Sequence, residues 1–230
     1  MRTCHTSLYT AVRAAKGRTS KSTACDCCGQ RKTLGHNFQV CPRTKFERKD
    51  RHNKTAALLV KYLMNSGYDV LEEPTIPTEA GIRKPDIVAF RDGVAYVVDV
   101  TIVADNAVLD HAHLEKVKYH NQESIRKWIC DRWNCNQTVF LGAVWNSRGA
   151  MPPLSANGLL VMALTKNNLA VLTMRVLEFG YRIYAFFKGS THRVARYQAH
   201  RGGTETRDRY GEISSAKTRR RKPPAVGTCT

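Results

Sequence analysis

The sequence predicts an α/β protein: a central sheet covered on both sides, with helices around it, a metal knuckle before it and a basic tail after it. Three observations carry this reading. Residues 83–103 (RKPDIVAFRDGVAYVVDVTIV) hold two apolar, β-branched runs around Asp92-Gly93, the strongest short signal for a hairpin. Helical patterns at 46–65, 107–133 and 167–188 alternate with strand patterns near 68–73 and at 137–146, and Pro74, Pro77 and Gly81 mark a loop after the first strand. Charge is segregated along the chain. Residues 1–54 hold 13 basic and 3 acidic residues, residues 55–192 hold 14 and 13, and residues 193–230 hold 10 and 3. A nearly neutral middle with the long apolar runs is the expected folded core. The predicted organisation is a basic linker at 1–24, a knuckle at 25–41, a core domain at 46–190 and a basic, mostly disordered tail at 191–230.

The whole chain of 230 residues carries a formal charge of +18, which points to a polyanionic partner. Nucleic acid is the natural choice, with the flanks neutralising phosphates and affinity falling steeply with salt. A composition of 42% hydrophobic and 24% charged residues excludes wholesale disorder. No apolar run approaches the ~18 residues of a membrane span. The acid-free first 25 residues fit a transit peptide in composition but run straight into a cysteine cluster, and no secretory signal core follows the start. Eight cysteines without such a signal argue for thiols and metal rather than a disulfide framework.

Residues 25–41 (CDCCGQRKTLGHNFQVC) place Cys25, Cys28, His36 and Cys41 in the pattern C-x2-C-x7-H-x4-C. Thiolate sulfur and imidazole nitrogen are what a tetrahedral structural Zn²⁺ prefers, and four ligands close the site. A loop this short cannot build a core, so metal would supply its folding free energy. Cys27 is a surplus sulfur that could replace Cys25 or Cys28. Arg31, Lys32, Arg43 and Lys45 lie within or beside the knuckle and suit contact with phosphates. Cys4, Cys130, Cys135 and Cys229 are scattered and read as ordinary thiols.

The hairpin makes a sharp prediction. In a two-residue turn Arg91 faces Val94, and the same register sets Asp86 opposite Asp99 on one face, with Cβ atoms about 4.5–5.5 Å apart. Both faces are otherwise apolar, as in a sheet covered on both sides. Two such carboxylates repel by about 3 kcal/mol at an effective dielectric near 20. Protonation of one, or a divalent cation between them, is the expected remedy, and Mg²⁺ held by two carboxylates suits phosphoryl transfer. The helix at 107–133 puts Lys116, Tyr119 and His120 on a shared face, from which Lys116 could reach the aspartates. His111, His113 and His120 read as surface residues. After the strand at 137–146 come a loop with Pro152 and Pro153, an apolar segment at 158–165 and the last helix. KTRRRK at 217–222 reads as a basic tail or nuclear signal.

The knuckle, then R-x2-R-H-N at 48–53, then RKPD, twelve residues, Asp99 and K-V-K-Y at 116–119, together resemble a known family. It is the C-terminal part of the Pol-like polyprotein (reverse transcriptase/endonuclease) of non-LTR retrotransposons that insert in ribosomal RNA genes, the R-two lineage. The resemblance covers nearly residues 8–190. It implies a restriction-endonuclease-like (PD-(D/E)xK) fold, a mixed central sheet flanked by helices, and a nucleus-located, Mg²⁺-dependent endonuclease that nicks double-stranded target DNA to prime reverse transcription. It also implies possible contact with the element RNA and an upstream reverse transcriptase domain, although no polymerase motif is present in these residues. By the same resemblance, Asp86 and Asp99 match the two acids, Lys116 the catalytic lysine, Tyr119 the helix tyrosine and Lys84 the basic residue before the motif. Asp99-Val100-Thr101 departs from the general nuclease pattern, with threonine where its lysine would stand. The alternative reading is a non-catalytic zinc-knuckle module that only grips DNA or RNA.

Overall fold

The computed structural model describes residue 10 and residues 23–202, with side chains to residue 190. The linker up to residue 22, apart from residue 10, and the tail from 203 with its KTRRRK run lie outside the described residues. The chain divides after Thr191, and the sheet, the knuckle and the helices belong to the unit ending there, except for the end of the last helix. A π-helical turn (His36–Val40) and a 3₁₀ turn (Pro42–Thr44) lead into helix α1 (Lys45–Asn65). Then come β1 (Asp69–Glu72), β2 (Ile76–Thr78), β3 (Gly81–Arg83), β4 (Ile87–Arg91) and β5 (Val94–Val103). Helices α2 (Leu109–His120) and α3 (Glu123–Trp133) precede β6 (Gln137–Asn146), followed by α4 (Pro153–Val161) and α5 (Lys166–Gly202).

The sheet has the order β1-β4-β5-β6 and is mixed: β1/β4 and β4/β5 are antiparallel, and β5/β6 is parallel. Asp92 and Gly93 both take positive φ, +52° and +77°, the geometry of a type I′ turn. Their turn fixes Arg91↔Val94 through Ile87↔Val98, the register expected from sequence. Side chains therefore alternate between two apolar layers. Ile87, Ala89, Val98, Val100, Ala143 and Trp145 face Leu59 and Leu63 of α1 and Leu172 and Val176 of α5. Val88, Ala95 and Val97 face Ile125 and Ile129 of α3 on the other side.

β6 is an edge strand, and its outward backbone is covered rather than left open. Ser155 of α4 donates to the Gly142 carbonyl and accepts from the Val144 N–H, and His113 Nδ1 donates to the same carbonyl at 2.9 Å. Gly142 also lets α2 lie close to the sheet. A Cβ built there would stand 3.1 Å from the His113 carbonyl oxygen and 3.2 Å from Lys116 Cβ.

Four expectations need correction. The helix at 107–133 is two helices, broken at Asn121 and Gln122, where the backbone leaves the helical region at ψ 73° and 144°. The Pro152-Pro153 loop instead starts α4, with Pro153 in the first turn, where its missing N–H costs nothing. The last helix runs to Gly202, so residues 189–202 are helical rather than disordered. The proline-rich stretch after β1 folds as a small hairpin, with Ile76↔Arg83 and Thr78↔Gly81 paired. Among the described residues no helix is long and apolar enough to cross a membrane.

Candidate active site and metal centre

The knuckle begins with a tight reversal. Ala24 bridges Arg31, and the Gly29 N–H bonds the Cys25 carbonyl at 2.7 Å, with Gly29 at φ +72°. The reversal brings Cys25 and Cys28 to one side, and the π-helical turn presents His36 and Cys41 to them. The ligand atoms of Cys25, Cys28, His36 and Cys41 all lie within 4.8 Å of one another, so this group could hold a metal such as zinc. Cys25 Sγ is 3.9 Å from Cys41 Sγ, and Cys28 Sγ is 3.7 Å from His36 Nε2. A tetrahedron with Zn–S bonds of about 2.3 Å sets sulfurs about 3.8 Å apart, so the group fits zinc. Cys27, the surplus sulfur, is exposed and lies outside the group, whereas Cys25 and Cys28 lie within it.

Electrostatics act unequally on these ligands. Burial, with Arg48 and Lys32 nearby, holds His36 below its ordinary range, which favours the neutral, ligating imidazole. Its Nδ1 faces Gln30 Oε1 at 3.3 Å, orienting Nε2 toward the cysteines. Burial pushes the Cys41 thiol up to about 12, and the neighbouring Cys25 adds to this. Burial acts the same way on Cys25, but the backbone N–H groups of Cys27 and Cys28 leave it below its ordinary value. The knuckle is docked rather than dangling. Cys25 and Cys41 pack on Phe187 of α5, Phe38 packs on Ile183 and Tyr184, and Gln39 Nε2 donates to the Val103 carbonyl at 3.0 Å.

A second centre lies where α1, the start of β4, β5 and α2 meet. Asp86 falls one residue before β4, just past the Ile87↔Val98 pair. Asp86 and Asp99 line one cavity of about 440 Å³, together with His52, Lys116 and the Arg48–Arg51 side of α1. Asp86 Oδ2 accepts the Val100 N–H at 2.6 Å, and Oδ1 faces His52 Nε2 at 3.1 Å. Asp99, 7% exposed, has Lys116 Nζ 2.6 Å from Oδ2 and His120 Nε2 3.4 Å from Oδ1. Burial works to raise the Asp99 pKa, but His120 and Lys116 outweigh it and hold the carboxyl below the ordinary value. The hydrogen bond to Asp86 raises His52, against burial.

This geometry corrects the premise that only protonation or a dication relieves the two acids. Each has its own basic partner, Lys116 for Asp99 and His52 for Asp86. His113 and His120, expected at the surface, are buried, whereas His111 is exposed beside Glu115. His113, Lys116 and His120 recur at i, i+3 and i+7, the spacing of one helix stripe, and that was the available signal. His52 stood in the R-x2-R-H-N run without an assigned role. Tyr119 is 51% exposed, edge-on to His120 at 4.8 Å, with the Arg83 guanidinium 4.6 Å over its ring. Lys84 and Arg31 are exposed. Lys32 and Arg43 both pair with Asp26, at 3.1 and 2.9 Å. Cys130 and Cys135, read as scattered, are neighbours, with sulfurs 3.2 Å apart.

No protein-family model matches the chain. Among curated proteins, the Retrovirus-related Pol polyprotein from type-1 retrotransposable element R2 of Nasonia vitripennis is 31% identical over 193 residues, 82% of this chain and 19% of that protein. The chain is a homologue of a region of R2 Pol polyproteins. The corresponding protein of Drosophila melanogaster, from element R2DM, is 29% identical over 74% of this chain and 16% of its own length. That of Bradysia coprophila is 25% identical over 80% of this chain and 21% of its own. The chain thus spans about a fifth of the length of these R2 Pol polyproteins. A solved structure of a protein of unknown function, AF1548, matches at 16% identity and a TM-score of 0.25 over 65% of this chain and 98% of its own.

Proposed function

We propose that residues 46–190 form a restriction-like, Mg²⁺-dependent DNA endonuclease. It would nick target DNA, a ribosomal RNA gene by family resemblance, and the 3′ end would prime reverse transcription by a polymerase domain upstream in the parent polyprotein. The observation that carries this is the shared cavity, with two carboxylates on one wall and Lys116 at 2.6 Å from Asp99. The donor set fits a hard cation: carboxylate oxygens on both residues, with Asp99 held in its ionised form. Asp86 and Asp99 would hold Mg²⁺, which would supply charge neutralisation at the phosphate and a more acidic water.

The chain's own residues have distinct tasks. The Val100 N–H and His52 fix both oxygens of Asp86, so the carboxylate keeps one orientation. Lys116 reaches Asp99 because Gly142 lets α2 approach the sheet. With Asp86 and Asp99 holding the cation, the Lys116 ammonium beside them would stabilise negative charge developing on the phosphate. The basic side of α1 draws the polyanion into the cavity. The knuckle, docked on α5, would hold Zn²⁺ and add a nucleic-acid contact through exposed Arg31. A nuclear location follows from the same reading.

The test is conversion of supercoiled plasmid to open circles by the full chain, with and without Mg²⁺. Nicking that requires the ion supports the reading. Binding to the plasmid without any nicking favours the non-catalytic module.

A further inference from the structure

Arg51 is an anomaly. It is 2% exposed, yet it lines the cavity of the two aspartates. One guanidinium nitrogen, Nη2, reaches Gln39 Oε1 at 3.2 Å and the Phe38 carbonyl at 3.4 Å. Nε and Nη1 are buried with no partner among the described residues. The cavity's two carboxylates are already engaged by His52 and Lys116. Burial and the nearby Arg48 lower Arg51 to about 10, which leaves it charged at neutral pH. Arg48 repeats the pattern: its Nε is also buried and unpartnered, while Nη2 leans on the Cys41 carbonyl at 3.4 Å. Lys45 and Lys49 line the same cavity, and none of Lys45, Arg48, Lys49 and Arg51 forms an ion pair with a described carboxylate. A buried guanidinium without a counterion is expensive to keep for stability's sake. Its planar fork matches two oxygens of a phosphate.

We propose that Arg51, backed by Arg48, is an anion subsite that grips a backbone phosphodiester of bound DNA through Nε and Nη1, beside the two aspartates. The proposal rests on the nuclease reading for what the grip achieves: it positions a phosphate in the cavity. The grip itself needs neither Mg²⁺ nor cleavage, so its measurements are separable from that reading.

The test uses the full chain without Mg²⁺. Thermal melting is followed in inorganic phosphate against chloride of matched ionic strength, and binding of a short DNA duplex is followed by anisotropy across a salt series. Phosphate at 100 times its dissociation constant should raise the wild-type midpoint by about 5–10 °C. Arg51→Met should lose that rise, and its phosphate-free midpoint should equal or exceed the wild type's, since the uncompensated charge is gone. Its duplex affinity should fall about tenfold, with the salt slope shallower by about one unit. A lower phosphate-free midpoint with the phosphate rise intact makes Arg51 a structural strut and overturns the proposal. A lost phosphate rise with unchanged duplex affinity and slope means a site for free anions, and overturns the DNA assignment. If Arg51→Met fails to fold, Arg48→Met and Arg51→Lys carry the test: both must shrink the phosphate rise, and an undiminished rise in both overturns the proposal.

Discussion

Lys116→Met removes the ammonium that neutralises a nearly buried carboxylate. Lys116 Nζ stands 2.6 Å from Asp99 Oδ2. At an effective dielectric near 20 that separation gives about 6 kcal/mol of gross attraction. The lysine side chain is 36% exposed, so water screens the pair and desolvation offsets more of it. A net loss of about 1–2 kcal/mol is expected, or about 2–8 °C in the melting midpoint at this size. The pH dependence has a definite sign. The folded-state Asp99 carboxyl lies below its ordinary value, so its stability contribution is present above the unfolded value and is lost as pH falls through the folded one. Removing Lys116 weakens that depression. The wild type should therefore melt above the variant near neutral pH, and the two should converge as pH falls below the carboxylate range. Millimolar Mg²⁺ should restore part of the variant's midpoint, because a dication can replace the missing charge. Thermal melts from pH 3 to 8 measure all of this. Equal midpoints at pH 7, or a more stable variant, would refute the pairing argument.

Three further outcomes are expected. Purified protein should contain about one zinc per chain by elemental analysis; Cys28→Ser should lose it and Cys27→Ser should keep it, since Cys27 lies outside the cluster. Gly142→Ala should destabilise by about 1 kcal/mol and slow nicking, because the new methyl meets the His113 backbone and Lys116 Cβ at 3.1–3.2 Å and must push α2 outward. His52→Gln should cost most below the ordinary histidine value: the Asp86 partner raises the folded His52, so its contribution is full at low pH and fades as pH rises through the folded value, a trend visible in paired melts.

Much of this arrangement was legible in the residues, for identifiable reasons. Asp92-Gly93 selects one turn geometry, that turn fixes the register, and the register carries Asp86 and Asp99 to one cavity. The knuckle was legible because thiolate and imidazole ligands have few other uses at that spacing. The break at Asn121-Gln122 was not legible, since neither residue is a strong helix breaker and the helical pattern runs through both. The neutralisation of the acids was legible only in part: Lys116 was expected within reach of them, but the pairing of His52 with Asp86 had no signal, and how tightly Lys116 meets Asp99 depends on how closely α2 approaches β6. Gly142 decides that distance, and in sequence it is one glycine in an apolar strand. The knuckle's docking on Phe187 joins segments about 150 residues apart, and no local pattern encodes such a contact.

The central claim is that Asp86 and Asp99 form a metal-dependent cutting centre. The most direct measurement compares Asp86→Ala and Asp99→Ala with the wild type for Mg²⁺-dependent plasmid nicking, with DNA affinity measured alongside. The account predicts that both variants bind DNA within a few-fold of wild type and that both lose nicking. Wild-type nicking by either variant would contradict it.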